Sequence, residues 1–140
     1  PAGTSIQTLF EEHHVQVQVA NDSGNGTDSG LKKAITCSST SSKVLVTFNM
    51  PYQIEANGRG INYAFMRDST NAFEGTYAHI AVGGSGSDGS YRIFTASHLD
   101  SPSSTSAVTY QINILTESGN ACKVMPNNTS AQLTLTEIKG

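Results

Sequence analysis

The chain has 140 residues, of which 36% are hydrophobic and only 14% are charged. Much of the remainder consists of residues with hydroxyl side chains and of glycine: 18 Ser, 15 Thr and 13 Gly. Ser, Thr and Gly are unfavourable in helix interiors, whereas Thr, Val, Ile, Tyr and Phe suit a half-buried strand. A bundle of long helices is therefore excluded. The length is that of one domain, with a core large enough to fold without metal or disulfides.

The charged residues give a formal net charge of -3, and the eight Lys and Arg residues are scattered. They form no basic stripe that could neutralise phosphates, so nucleic acid is not an expected partner. No apolar run approaches the roughly 18 residues of a membrane span, and the first ten residues lack the basic start and apolar middle of a signal peptide. We expect a soluble, nearly complete small protein that binds no membrane.

Apolar and polar side chains alternate along most of the chain, and clusters of Gly, Ser, Asn, Asp and Pro interrupt the alternation. This pattern is typical of an all-β sandwich. It predicts strands at residues 6–10 and 15–19, then a loop of turn-forming residues at 21–30 and a weak strand at 31–37. Residues 43–50 read as a central strand that ends at Pro51.

Six further strands complete a set of nine or ten, at residues 61–65, 77–82, 91–98, 108–115, 120–125 and 131–138. That number suits an antiparallel sandwich with jelly-roll winding. We expect one such domain at 15–140, preceded by a first strand or docking arm at 1–14. The apolar positions of the alternating strands predict a core made of Val44, Val46, Phe48, Tyr63, Phe65, Val108, Tyr110, Ile112, Ile114, Leu133 and Leu135.

Four segments of the chain look familiar in their order and spacing. They are SSTSSKVLVTFNM at 38–50, MRDST at 66–70, LDSPSSTSAVTYQINI at 99–114 and TSAQLTLTEI at 129–138. Together they resemble the trimeric jelly-roll domains, similar to tumour necrosis factor and C1q, that many tailed bacteriophages carry, notably marine ones. The resemblance implies a homotrimer on the outside of a virus particle, with the last strand in the inner sheet near the threefold axis.

Two functions follow from that resemblance. The first is a trimeric capsid decoration, or cement, protein that binds the major capsid protein or other virion proteins. Its docking arm would be residues 1–14, with five candidate contact residues: Ile6, Leu9, Phe10, His13 and His14. Three such arms acting together would give avidity without a strong single contact.

The second function is the receptor-binding head of a tail or head fibre that recognises a host surface glycan or protein. Its ligand loops would be residues 51–60, 71–76 and 83–90. The candidate contacts are aromatic side chains that can stack on sugars and an arginine that can pair with acidic groups, namely Tyr52, Phe73, Tyr91 and Arg59. The alternative, that these aromatics belong to the core or to contacts between subunits, is the favoured interpretation of the aromatic residues themselves.

No catalytic site, metal site or cofactor is expected. Ser97, His98 and Asp100 are nearly adjacent, but successive strand residues point to opposite faces, whereas the members of a catalytic triad converge. His13 and His14 are likewise adjacent and lack the spacing of zinc ligands. The five acids on strand ends and turns that could form a glycosidase pair are widely spread: Asp68, Glu74, Asp100, Glu117 and Glu137.

Two sequence features concern burial. Cys37 and Cys122 have no neighbouring Cys or His at metal-binding spacing, which favours two buried thiols over a disulfide. Glu137 falls on the apolar side of the last strand, in register with Leu133 and Leu135. A carboxylate there needs a partner such as Arg67 or Lys43, or a place at the trimer axis.

Overall fold

A computed structural model describes residues 3–19, 24–55, 61–71, 90–116 and 122–140. Ten strands lie in this part of the chain: β1 (Ser5–His13), β2 (Val17–Val19), β3 (Thr27–Thr36), β4 (Lys43–Ile54), β5 (Ile61–Arg67), β6 (Thr70–Asn71), β7 (Ser90–Asp100), β8 (Ala107–Thr116), β9 (Cys122–Val124) and β10 (Ala131–Ile138). A short 3-10 turn spans Pro126–Asn128. Within the described ranges, no helix is long and apolar enough to cross a membrane. The predicted strand at 77–82 lies outside these ranges.

The strands form two antiparallel sheets. In the first sheet, β4 pairs with β7 along one side and with β10 and then β9 along the other. β1 pairs with β10, and β2 pairs with β9. β9 therefore follows β10 along the same side of β4, and β2 likewise follows β1 along the edge of the sheet. The second sheet has the order β3-β8-β5-β6.

The strand pairings are nested along the chain. β1 pairs with β10, β3 with β8, β4 with β7, and β5 with β6. This nesting is what results when one long antiparallel hairpin is rolled up so that its paired strands fall alternately into two facing sheets. The fold is therefore a jelly-roll sandwich, and the predicted all-β antiparallel class is confirmed.

The core lies between the two sheets. All eleven residues expected there from the sequence are buried. Aromatic rings fill its centre: Phe48 makes edge-on contacts with Tyr63 at 5.0 Å and with Phe65 at 5.3 Å between ring centroids. A small second cluster of Ala64, Met66 and Leu115 is buried on the opposite parity of β5 and β8. The alternating pattern does not predict this second cluster, because it assigns those positions to the outward side of their strands.

Pro51 does not end the central strand, contrary to the sequence prediction. It pairs with Ile93, and its carbonyl oxygen accepts a hydrogen bond from the Met125 amide at 2.8 Å. In an antiparallel strand the N–H and C=O of one residue point to the same side. The N–H that proline lacks would therefore point toward the break between β9 and β10, so no hydrogen bond to β7 is lost.

β3 begins earlier than the sequence predicts, because it takes in turn-forming residues of the expected loop at 21–30. The register of β3 against β8 shifts between Asp28 and Lys32. Gly30 lies in this irregular stretch with φ +81, and a Cβ at that position would overlap the His13 imidazole. Glycine there permits both the backbone bend and the close approach of β1.

Candidate assembly surface

The outward side of the first sheet is a broad face crossed by three rows of side chains. We call these twelve residues the outer face. Each row runs across β1, β10, β4 and β7, and the rows are Thr8, Thr136, Leu45, Leu99; Phe10, Thr134, Thr47, Ser97; and Glu12, Gln132, Asn49, Thr95. Only Glu12, at one margin, carries a charge. The face is otherwise made of hydroxyl, amide and apolar groups.

Hydrogen bonds already link some of the polar groups on the outer face. The hydroxyls of Thr8 and Thr136 are 3.3 Å apart, and Asn49 Nδ2 donates to Gln132 Oε1 at 3.1 Å. Hydroxyl and amide groups both donate and accept hydrogen bonds. A face built from them can therefore pack against an identical face without leaving a buried charge, which a face of one charge sign cannot do.

The first strand, expected as a docking arm, is an integral edge of this sheet. Gln7 Nε2 donates to the Thr36 carbonyl oxygen of β3 at 2.8 Å, and Glu11 pairs with Lys33 at 2.8 Å. These contacts join the edges of the two sheets. Of the five candidate arm residues, Ile6, Phe10 and His14 are exposed, Leu9 packs against the core and His13 lies against Gly30. A docking role for this strand stays a prediction.

Of the four candidate ligand contacts, the structure describes Tyr52 and Tyr91, and their side chains point to opposite sides of the first sheet. Tyr52 is 1% exposed in β4 and stacks on Phe94 at 4.3 Å, so the placement of Tyr52 in a ligand loop is wrong. Tyr52 occupies the same side of β4 as Met50 and Ile54, so its side chain points into the core. Tyr91 is exposed on β7, and its hydroxyl accepts a hydrogen bond from Asn127 Nδ2 at 3.1 Å. Arg59 and Phe73 lie outside the described residues.

Glu137 is fully buried, as its parity indicates, but neither Arg67 nor Lys43 is its partner. Gln7 Nε2 donates to Oε2 at 2.7 Å, while the Ser38 amide and hydroxyl each donate to Oε1 at 2.7 Å. Burial raises the pKa of this carboxyl, but the hydrogen bonds from Gln7 and Ser38 outweigh it and lower the pKa to about 2. The carboxylate ties β10 to β1 and to the β3–β4 turn.

Arg67 instead pairs with Asp100, at 3.0 and 2.9 Å from its Nη1 to the two carboxylate oxygens. The Tyr110 hydroxyl donates to the same carboxylate at 2.6 Å. Burial, together with this hydrogen bond to Asp100, raises the pKa of Tyr110 above its ordinary value. The cluster joins β5, β7 and β8, so it fastens one end of the sandwich.

The neighbours of Asp100 on β7 do not assemble a catalytic site. His98 lies on the same side of the strand as Asp100 and packs beside the Phe65 ring at 5.6 Å between centroids. Burial lowers the pKa of His98. Ser97 is exposed and projects from the opposite side. The triad is thus split by strand parity, as the sequence indicated.

The two cysteines are free thiols, both buried, as predicted. Burial raises the pKa of Cys37, and it raises the pKa of Cys122 to about 11. A raised pKa keeps a thiol protonated and unreactive at neutral pH. Among the residues that the structure describes, no cluster of three or more His, Cys, Asp or Glu could hold a metal ion.

Comparison with known proteins finds similarity only at the level of structure. No protein-family model and no curated protein matches the chain. Among solved structures, VP2 of infectious bursal disease virus in a subviral particle is similar, with a TM-score of 0.56 and 12% identity over 98% of this chain. VP2 of the Gx strain gives 0.53 at 12% identity over 97%, and VP2 of the Gt strain gives 0.51 at 11% over 98%.

The matched part is a minority of each VP2 chain, at 34%, 33% and 39% respectively. The chain therefore spans about a third of the length of these proteins. At this level of identity the likeness concerns the fold alone. The jelly-roll winding seen in the strand pairings is one that these viral VP2 proteins also contain.

Proposed function

We propose that this protein is a non-enzymatic structural protein of a bacteriophage particle, and that it sits on the capsid surface as a homotrimeric decoration, or cement, protein. The observation that carries the proposal is the outer face: twelve side chains on one side of the first sheet of a jelly-roll domain, of which only Glu12 is charged. Such a face suits contact between copies better than contact with a charged substrate. Three copies around one axis can then bind the capsid shell at three points at once.

The structural likeness supports a role in a virus particle. The similar VP2 proteins come from a subviral particle and from derived T=1 particles. The four segments that resemble phage jelly-roll domains fall on described strands and turns, including β4, β8 and β10. The proposed partners are the other two copies of the chain and the major capsid protein.

Two of the acids that could serve in catalysis, Asp100 and Glu137, are engaged in structural bonds, which supports a non-enzymatic role. Asp100 accepts from Arg67 and Tyr110, and Glu137 accepts from Gln7 and Ser38. Freeing either carboxylate for chemistry would leave its hydrogen-bond donors without this acceptor.

Two measurements test the proposal. The solution mass of the purified protein, measured by light scattering, is expected to be three times that of one chain; the mass of a single chain would contradict a trimer. Electron cryomicroscopy of particles that contain the protein is expected to show trimer-sized density on the capsid shell. Density confined to a tail or fibre tip would instead favour the receptor-binding head, and binding of the purified protein to host cells would then be expected.

A further inference from the structure

The large hydrophobic side chains that stay exposed in the described structure are concentrated on the two edges of the first sheet. Ile6, Phe10 and Val15 are between 44% and 56% exposed along the edge formed by β1, β2 and their link. Tyr91, Ile93 and Leu99 are between 49% and 65% exposed on β7, at the opposite edge. We call these two sets the β1 strip and the β7 strip. The described part of the second sheet carries no comparable strip.

The two strips run along opposite edges of the sheet. Tyr91 and Leu99 are eight residues apart on one strand, which is about 27 Å at the rise of an extended chain. Ile6 and Phe10 are four residues apart on β1, about 13 Å at the same rise, and Val15 follows in the link from β1 to β2. Tyr91, Ile93 and Leu99 share one parity, and Phe10 points to the same outward side of the sheet. Each strip therefore shares one residue with the outer face, Phe10 or Leu99, and lies along one of its edges.

The strips also differ in charge. Glu12 is exposed and shares the outward parity of Phe10, whereas Arg92 has the opposite parity to Tyr91 and Ile93 and pairs with the inward-facing Tyr52. The outward side of β7 from Tyr91 to Leu99 therefore carries no charge. Contact of the β1 strip with a second β1 strip would place two acids in one seam, whereas contact of a β1 strip with a β7 strip places only one acid there.

Exposed apolar residues on edge strands favour contact with another chain, so native proteins usually cover or charge such edges. The two strips of one copy cannot cover each other, because they lie on opposite edges of the sheet. A second copy of the chain can cover the β1 strip of the first copy with its own β7 strip. Its own β1 strip then remains available for the β7 strip of a third copy. The same contact repeated around an axis closes a ring.

We propose that the copies join heterologously, with the β1 strip of each copy packed on the β7 strip of the next, and that three such joints close the trimer around the outer faces. This inference rests on the proposed trimer and specifies which surfaces build it. The partner for either strip is a second copy of this chain.

The test uses two variants of the full chain, Phe10→Glu and Ile93→Glu, each of which places a charge in one strip. Each variant alone is expected to have the mass of one chain in light scattering, because every joint needs one β1 strip and one β7 strip. The control Ala34→Glu lies exposed on β3 in the second sheet and is expected to remain trimeric. Circular dichroism verifies that each variant is folded.

Mixing the two strip variants in equal amounts distinguishes heterologous from isologous contact. The intact β7 strip of the Phe10→Glu chain can join the intact β1 strip of the Ile93→Glu chain, and the remaining two strips are both damaged. The expected product has twice the mass of one chain and contains both variants. If a charged variant does not fold, Phe10→Ser and Ile93→Thr replace the pair.

Several outcomes overturn the inference. Dimers of either variant alone would indicate that like strips pair. A mixture that stays at the mass of one chain would also contradict the strip-to-strip joint. Trimeric wild-type protein with trimeric strip variants would overturn the joint and leave the proposed function standing, whereas monomeric wild-type protein would overturn both.

Discussion

At the residue scale, Glu137 shows how a charge can be buried on the apolar side of a strand. Among the described residues it has no cationic partner; two side chains and one backbone amide supply three donors to its two oxygens. A carboxylate held by several donors remains ionised at a lower pH than a solvated one. The parity of Glu137 was evident from the sequence, but its partners were not. Gln7 and Ser38 lie 130 and 99 positions away along the chain.

Replacing this carboxylate should therefore destabilise the protein. In Glu137→Gln an amide NH2 group replaces one carboxylate oxygen and faces either Gln7 Nε2 or the Ser38 donors. Because both groups are then hydrogen-bond donors, the hydrogen bond at that position is lost. We expect the free energy of unfolding to fall by about 2 kcal/mol, as measured by urea denaturation. The matched control is Glu55→Gln, which also removes a hydrogen-bonded carboxylate but at an exposed site. An equal loss in both variants would mean that burial is not the cause.

The same residue predicts a pH dependence. Its pKa is about 2 in the folded protein against an ordinary value of 4.5. Because the folded value is the lower one, the stabilisation is fully present above pH 4.5 and is lost as the pH falls from there toward 2. The difference in unfolding free energy between wild type and Glu137→Gln should accordingly shrink over that interval. A difference that stays constant down to pH 2.5 would show that Glu137 retains an ordinary pKa.

At the element scale, the regular strands were predictable and the irregular ones were not. β10 has the limits expected from its alternating Leu and Thr, and it is paired on both sides. β4 continues past Pro51 because its neighbour on that side is interrupted there, which local sequence cannot show. β3 starts within a run of turn-forming residues because pairing with β8 and a bulge at Gly30 outweigh their local preference.

The bulge in β3 gives a prediction of its own. Gly30 and Gly24 both have positive φ, but only at Gly30 would a Cβ meet another side chain, that of His13. Gly24→Ala should cost about 1 kcal/mol for its backbone conformation, and Gly30→Ala should cost more because β1 must also shift. Thermal unfolding compares the two variants. The double variant Gly30→Ala, His13→Ala should recover part of the loss; no recovery would show that His13 is not the obstacle.

At the scale of the whole molecule, the all-β antiparallel fold class was accessible from alternation, whereas the pairing was not. The residues of a strand do not indicate which distant strand it pairs with, and the nested pairs of a jelly roll connect segments far apart in the chain. The assembly surface was inaccessible for the same reason. Phe10 and Ile93 belong to one face only because β10 and β4 lie between their strands.

The pairing changes what truncation of the N-terminus should do. Removal of residues 1–14 deletes β1, uncovers the edge of β10 and leaves Glu137 without Gln7. We expect this truncated chain to lose cooperative thermal unfolding by circular dichroism, whereas removal of residues 1–4 should leave a cooperative transition. A folded, trimeric chain without residues 1–14 would show that this segment is an accessory arm and not a structural strand.

The pairing of β1 with β10 also sets an order of events during synthesis. β1 finds its neighbour in the sheet only after β10, at the far end of the domain, has been synthesised. Contacts between such distant segments form slowly, since a long loop must close before they are rewarded. Completion of the first sheet, and with it the placement of Phe10 at the sheet's edge, is therefore a late step of folding, and copies can join through this edge only after that step.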